Sequence, residues 1–103
     1  MAEIIRGTTP TVIYSFDMIK PEDISVCYLL IKQRGHSVIE KTLAESSLTD
    51  GKLSFTLTQE ETLSLSTAYP AQIVLDWKTT GGVRGRSNIV DCAVRQAGKD
   101  AVI

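Results

Sequence analysis

The chain is punctuated too often for a long helix to fit in it. Turn-forming residues recur roughly every dozen positions, and the runs between them are short, β-branched and alternating. The run "KLSFTLT" (residues 52–58) shows the pattern best, with Leu53, Phe55 and Leu57 on one face and Ser54, Thr56 and Thr58 on the other. A chain written this way must bury one face of several short strands, which leads to an all-β architecture. A parallel α/β sheet is excluded because its crossover helices have no place in the sequence.

Residues 10–17 alternate, with Val12, Tyr14 and Phe16 opposed to Thr11, Ile13 and Ser15. The connector Asp17–Asp23 places Pro21 at the start of a short helical turn with acidic residues behind it. "ISVCYLLIKQR" (24–34) is apolar on both parities around Leu29-Leu30-Ile31, the signature of a central strand covered on both faces. Arg34-Gly35-His36 turns it into a hairpin with "SVIEKTL" (37–43), and Asp50-Gly51 marks a second tight turn. Thr58-Gln59-Glu60-Glu61 has capping-box spacing and opens one or two helical turns, for which Leu63 is the expected core plug. Ala71, Ile73, Leu75 and Trp77 share one face of the next strand, "TTGG" (79–82) is a hairpin loop, and a last strand is expected over about 86–94.

The opening stretch "EIIRGTTPTVIYSF" (3–16) breaks an otherwise strand-like run at Arg6–Pro10. Gly7 supplies freedom to turn, and Pro10 removes a ladder donor and favours an edge. The expectation is a sheet switch, with Ile4-Ile5 pairing in one sheet and Val12–Phe16 in the other. A phosphate loop is excluded at this point, because "RGTTPT" lacks the Gly-Lys-Ser/Thr ending and a following helix.

A formal net charge of −1 gives no basic excess for nucleic acid or an anionic membrane, so neither is an expected partner. No apolar run spans a bilayer and "MAE" does not begin a secretory signal, so the expectation is a protein made in the cytoplasm. Cys27 and Cys92 have no metal-type spacing and read as buried thiols, although they would fall on opposed strands if an immunoglobulin-type bond were present. Against that bond, Trp77 follows Cys27 at too great a distance to be the tryptophan that packs on such a bridge.

No residue pattern assembles a catalytic site. His36 is the only histidine and reads as an exposed turn residue. Adjacent Glu60 and Glu61 diverge and are explained by capping. Arg84 and Arg86 in "TTGGVRGR" (79–86) are weak candidates for a ligand-contacting loop, with a solvated hairpin tip as the plainer reading. Trp77 lies on the apolar parity and reads as core. The expectation is therefore no enzyme, no cofactor and no metal.

Three stretches, "IIRGTTPT", "DGKLSFTLTQEETLSL" and "RSNIVDCAV", together resemble small β-sandwich structural proteins of tailed phages and prophages of Gram-positive bacteria. The pattern is similar to the N-terminal domain of upper-baseplate proteins and covers nearly the whole chain. The resemblance implies a virion or assembly component acting through protein–protein contacts. Its stations would be baseplate, tail, head–tail junction or capsid surface, and its partners other phage structural proteins or further copies of itself. It transfers no catalytic residue.

The expected fold is one domain over 1–103, an immunoglobulin-like antiparallel β-sandwich of six to seven strands with a short helical turn near residues 59–65. Segments 1–6 and 96–103 are candidate docking segments, with Ile4, Ile5, Ala101, Val102 and Ile103 as partner contacts. Gly7, Pro10, Thr58, Glu61 and Trp77 are expected to be structural. The alternative function is a carbohydrate-binding adhesion module, which requires an exposed Trp77 or a tyrosine cluster drawn from Tyr14, Tyr28 and Tyr69.

Overall fold

A computed structural model describes residues 2–17, 19–99 and 101–103. Met1 and Asp100, within the expected docking segments, and Met18, within the expected connector, lie outside the described residues. Among the described residues, nine strands form two facing sheets. They are β1 (Ala2–Ile5), β2 (Thr11–Ser15), β3 (Ile24–Gln33), β4 (His36–Thr42), β5 (Ser46–Thr49), β6 (Lys52–Thr56), β7 (Ala71–Thr79), β8 (Arg84–Arg86) and β9 (Val90–Arg95). One short helix, α1 (Gln59–Leu63), and 3-10 turns at Pro21–Asp23 and Leu43–Glu45 complete the elements.

The larger sheet has the order β1-β9-β7-β3-β4, with β8 also on β7, and the smaller has the order β2-β6-β5. The chain is thus an all-β sandwich, and its first two strands lie in different sheets. Two details differ from expectation. There are more strands than six or seven, because β5 and β8 are too short to show an alternating pattern. The sandwich is also not wholly antiparallel, since β1 runs parallel to β9, pairing Ala2 with Cys92 through Ile5 with Arg95.

The sheet switch stands as the sequence predicts. β1 lies in the larger sheet and β2 pairs with β6 in the smaller, and the turn between them passes through Gly7 at φ +79°. That dihedral is left-handed, where a Cβ would be strained. A Cβ at Gly7 would meet Leu63 and the carbonyl of Ala101 at ordinary contact distance, so the break is packed as well as turned.

Both tight hairpins follow the residues that demand them. Arg34 and Gly35 (φ 54° and 78°) join β3 to β4, and Asp50 and Gly51 (φ 54° and 72°) join β5 to β6. Two consecutive positive φ values define the type I′ turn, whose twist matches that of the strands it connects.

The core is the seam between the sheets. Leu29, Ile31, Ile73 and Leu75 from the larger sheet meet Leu53, Phe55 and Leu57 from the smaller one. Val12, Tyr14 and Phe16 pack against this cluster from β2. Leu63, the expected plug, is only half-buried. The turn of α1 instead carries Thr62 inward, fully buried, and Leu65 follows it into the core. Thr62 is tolerated there because its hydroxyl donates to the Thr8 carbonyl at 2.8 Å.

The expected last strand is interrupted. β8 ends at Arg86, Ser87 exchanges bonds with Leu75, and β9 resumes pairing only at Val90 opposite Ile73. Asn88 and Ile89 therefore stand opposite the single residue Val74. Arg84 and Arg86 belong to a strand, not to a hairpin tip.

Gly85 pairs with Trp77, and a Cβ at this position would overlap the six-membered ring of the indole. Glycine is required because the ring lies on its backbone. Gly85→Ala is expected to destabilise the protein by about 1–3 kcal/mol through overpacking, read as a lower urea midpoint with an unchanged slope. An unchanged midpoint would mean that the ring does not rest on this strand.

Candidate interaction surfaces

The residues proposed for chemistry are separated by the fold. His36 is exposed at the first position of β4. Cys27 and Cys92 sit on β3 and β9 of the same sheet, on either side of β7, so they are not on opposed strands. They pair with Trp77 and Ala71, which places them about 20 Å apart along β7 at the rise of a strand. Burial pushes the Cys27 thiol up to about 11. Burial, reinforced by the charge of Asp91, raises that of Cys92 as well. Both remain protonated at neutral pH and are poor nucleophiles.

Trp77 is half-buried at one end of the seam, with Phe16 edge-on to it at 6.1 Å between ring centroids and 90° between planes. With its ring also resting on Gly85, it is a packing residue and not the open platform that a sugar ring would stack on. Tyr28 shares a recess with it on the larger sheet and Tyr14 shares another at the end of the seam, while Tyr69 stands apart. Tyr14 faces the core from β2, Tyr28 is exposed on β3, and Tyr69 lies under the Arg34 guanidinium at 4.8 Å from the ring centre.

The terminal segments converge on α1. Arg6 Nη2 donates to the Leu63 carbonyl at 2.8 Å, satisfying an acceptor at the helix end. Gln59 acts like a short piece of strand toward the chain end: its Nε2 donates to the Ile103 carbonyl at 3.1 Å and its Oε1 accepts from the Ile103 amide at 2.7 Å. Of the five expected contacts, Ile4 is the one that the fold turns inward. It is 5% exposed and pairs with Val94 on the core side of the sheet. Strand parity accounts for this: adjacent residues of β1 point to opposite faces, so Ile4 and Ile5 cannot both face solvent. Ile5, Val102 and Ile103 are exposed, and Ala101 is half-buried.

An apolar groove of about 250 Å³ runs along the side of the sandwich where β2 and β1 are the edge strands. Ile4, Ile73, Val90 and Cys92 contribute to its lining from one sheet and Val12, Tyr14 and Leu57 from the other. The edge of β2 also offers backbone groups. Leu57 N–H donates to the Pro10 carbonyl, so with this antiparallel register the bonds to β6 fall at residues 10, 12 and 14. The N–H and C=O groups of Thr11, Ile13 and Ser15 therefore point away from the sheet. The Ile13 side chain is 59% exposed.

Sequence reasoning missed one buried charge. Lys41 lies on the core parity of β4, opposite Leu29, with its side chain only 8% exposed. Its ammonium meets Glu61 at 2.8 Å and Glu45 at 3.7 Å. Each glutamate also accepts from the backbone N–H that opens its own turn, Thr58 for Glu61 and Thr42 for Glu45. One ammonium thus ties two capping boxes to the edge of the larger sheet. The parity of "SVIEKTL" was the available signal, since Ile39 and Lys41 share a face.

The chain matches no protein-family model, and no curated protein matches it significantly.

Burial alone would raise the Glu61 carboxyl. The hydrogen bonds from Lys41 and from the Thr58 backbone outweigh it and hold the group below the ordinary carboxylate range. A carboxylate lowered by folding contributes stability above its unfolded value, near 4.3, and loses it as pH falls through the folded value. Urea unfolding between about pH 5 and pH 2 is therefore expected to show a falling midpoint that Glu61→Gln makes shallower. An identical acid slope in the variant would remove Glu61 from the account.

Proposed function

We propose that this protein is a non-enzymatic structural or assembly component of a tailed-phage particle, working at the baseplate, tail or head–tail region through protein–protein contacts. The resemblance of "IIRGTTPT", "DGKLSFTLTQEETLSL" and "RSNIVDCAV" to phage β-sandwich proteins supplies the setting. The structural observation that carries the reading is the bare edge of β2. Three successive outward-facing backbone donor and acceptor pairs border an apolar groove, and no charged residue falls between Thr11 and Phe16 to discourage pairing. Edge strands are usually blunted by lysine, proline or a bulge. Here Pro10 guards only one end, so the strand is available to a protein that adds a strand or covers the edge.

Purified particles from an induced lysogen that encodes this chain are expected to contain it in stoichiometric amount. Ile13→Lys, a change at an exposed position, is expected to leave the circular dichroism spectrum and thermal midpoint nearly unchanged and to reduce incorporation at least tenfold by quantitative mass spectrometry. Absence of the wild-type chain from purified particles would overturn the reading. Normal incorporation of the variant would remove the β2 edge from it.

A further inference from the structure

The edge of β2 carries a sequence that can pair with itself. Its outward backbone groups belong to Thr11, Ile13 and Ser15, and among the described residues none of these groups has a hydrogen-bond partner. A sandwich that leaves such an edge unblunted must shield it by other means, and pairing is the most direct. We infer that the partner for this edge is a second copy of this chain, with the two β2 strands antiparallel about a two-fold axis at Ile13.

The strand itself decides the register. Only with Ile13 opposite Ile13 does every one of the five residues of β2 meet a residue of the second β2. Thr11 then faces Ser15, and Val12 faces Tyr14. The outward groups of Thr11, Ile13 and Ser15 exchange N–H and C=O bonds in reciprocal pairs. Pro10 does not interfere: its carbonyl bonds to Leu57, so its missing N–H lies on the β6 side.

Charge and side-chain chemistry select the occupant. No charged residue falls within β2, and Asp17, the first beyond it, comes level with Thr9 of the second copy. Like charges therefore do not meet along the paired strands. Ile13, 59% exposed, packs on its own counterpart, a β-branched pair that suits directly opposed positions. Every contact occurs twice, as an isologous interface requires. Two three-stranded sheets become one, in the order β5-β6-β2-β2-β6-β5, and the bare edge disappears from both copies.

The inference rests on the edge reading above and names its partner, but it is tested without particles. Sedimentation equilibrium of the full chain from micromolar to millimolar concentration is expected to show a monomer–dimer equilibrium. Ile13→Lys, which sets two ammonium groups opposite each other, should weaken the dimer at least tenfold. Ile13→Cys should join two chains through a short bis-thiosulfonate linker, since directly paired residues lie about 5.5 Å apart at Cα. Thr11→Cys and Ser15→Cys should not link to their own copies, which are about 14 Å away along the strands, but the two variants mixed should link to each other. Cys27 and Cys92 are buried and leave the readout to the introduced thiol. A monomer at every concentration would overturn the inference, while particle incorporation would still report whether the edge serves a different protein. A dimer that Ile13→Lys leaves intact, or one in which Thr11→Cys links to its own copy as readily as Ile13→Cys, would overturn it equally.

Discussion

The left-handed turn at Gly7 is the constraint on which the two-sheet arrangement depends. Before it the chain is the parallel partner of β9, and after it the chain is the antiparallel partner of β6. The crossing is held by bonds that belong to neither sheet. Arg6 reaches the end of α1, and the Thr62 hydroxyl reaches the Thr8 carbonyl. A continuous first strand could not serve both layers, and β1 and β2 would then not frame the same groove.

A second fixed point lies at the opposite side of the sandwich. There β4 passes to the smaller sheet through the turn at Leu43–Glu45, and Lys41 ties that turn to the start of α1. A partly buried ion pair adds little net stability relative to an apolar substitute, because desolvation offsets most of the attraction. Its contribution is geometric, since it sets α1 against both sheets. Gln33 performs a similar task at the end of β3, where its amide bonds both the N–H and C=O of Ser66 and the C=O of Tyr69. The link from β6 to β7 is therefore pinned at both ends by polar side chains.

Much of this was legible in the sequence because the signals were local. Leu53, Phe55 and Leu57, the Thr58–Glu61 box, the Asp50-Gly51 turn and the Gly7 break each declare themselves within a few residues. What was not legible depended on non-local pairing. β5 and β8 are strands only because β6 and β7 offer them an edge. Leu63 is the more apolar choice for a core plug, but the phase of α1, set by its cap, carries Thr62 inward and Thr8 satisfies it. Both-parity hydrophobicity at Leu29-Leu30-Ile31 predicts two covering layers, whereas the single chain supplies one. The candidate surfaces were least visible, because which of Ile4 and Ile5 faces solvent depends on a register with β9.

The crossing at Gly7 therefore links the fold to the proposed function: it brings β2 to the edge of the smaller sheet, beside the apolar groove. The most direct measurement is amide hydrogen exchange along β2 in a dilute sample. The account predicts slow exchange at Val12 and Tyr14, which bond to β6, and fast exchange at Thr11, Ile13 and Ser15, whose amides face away from the sheet. Equal protection at Val12 and Ile13 would contradict it.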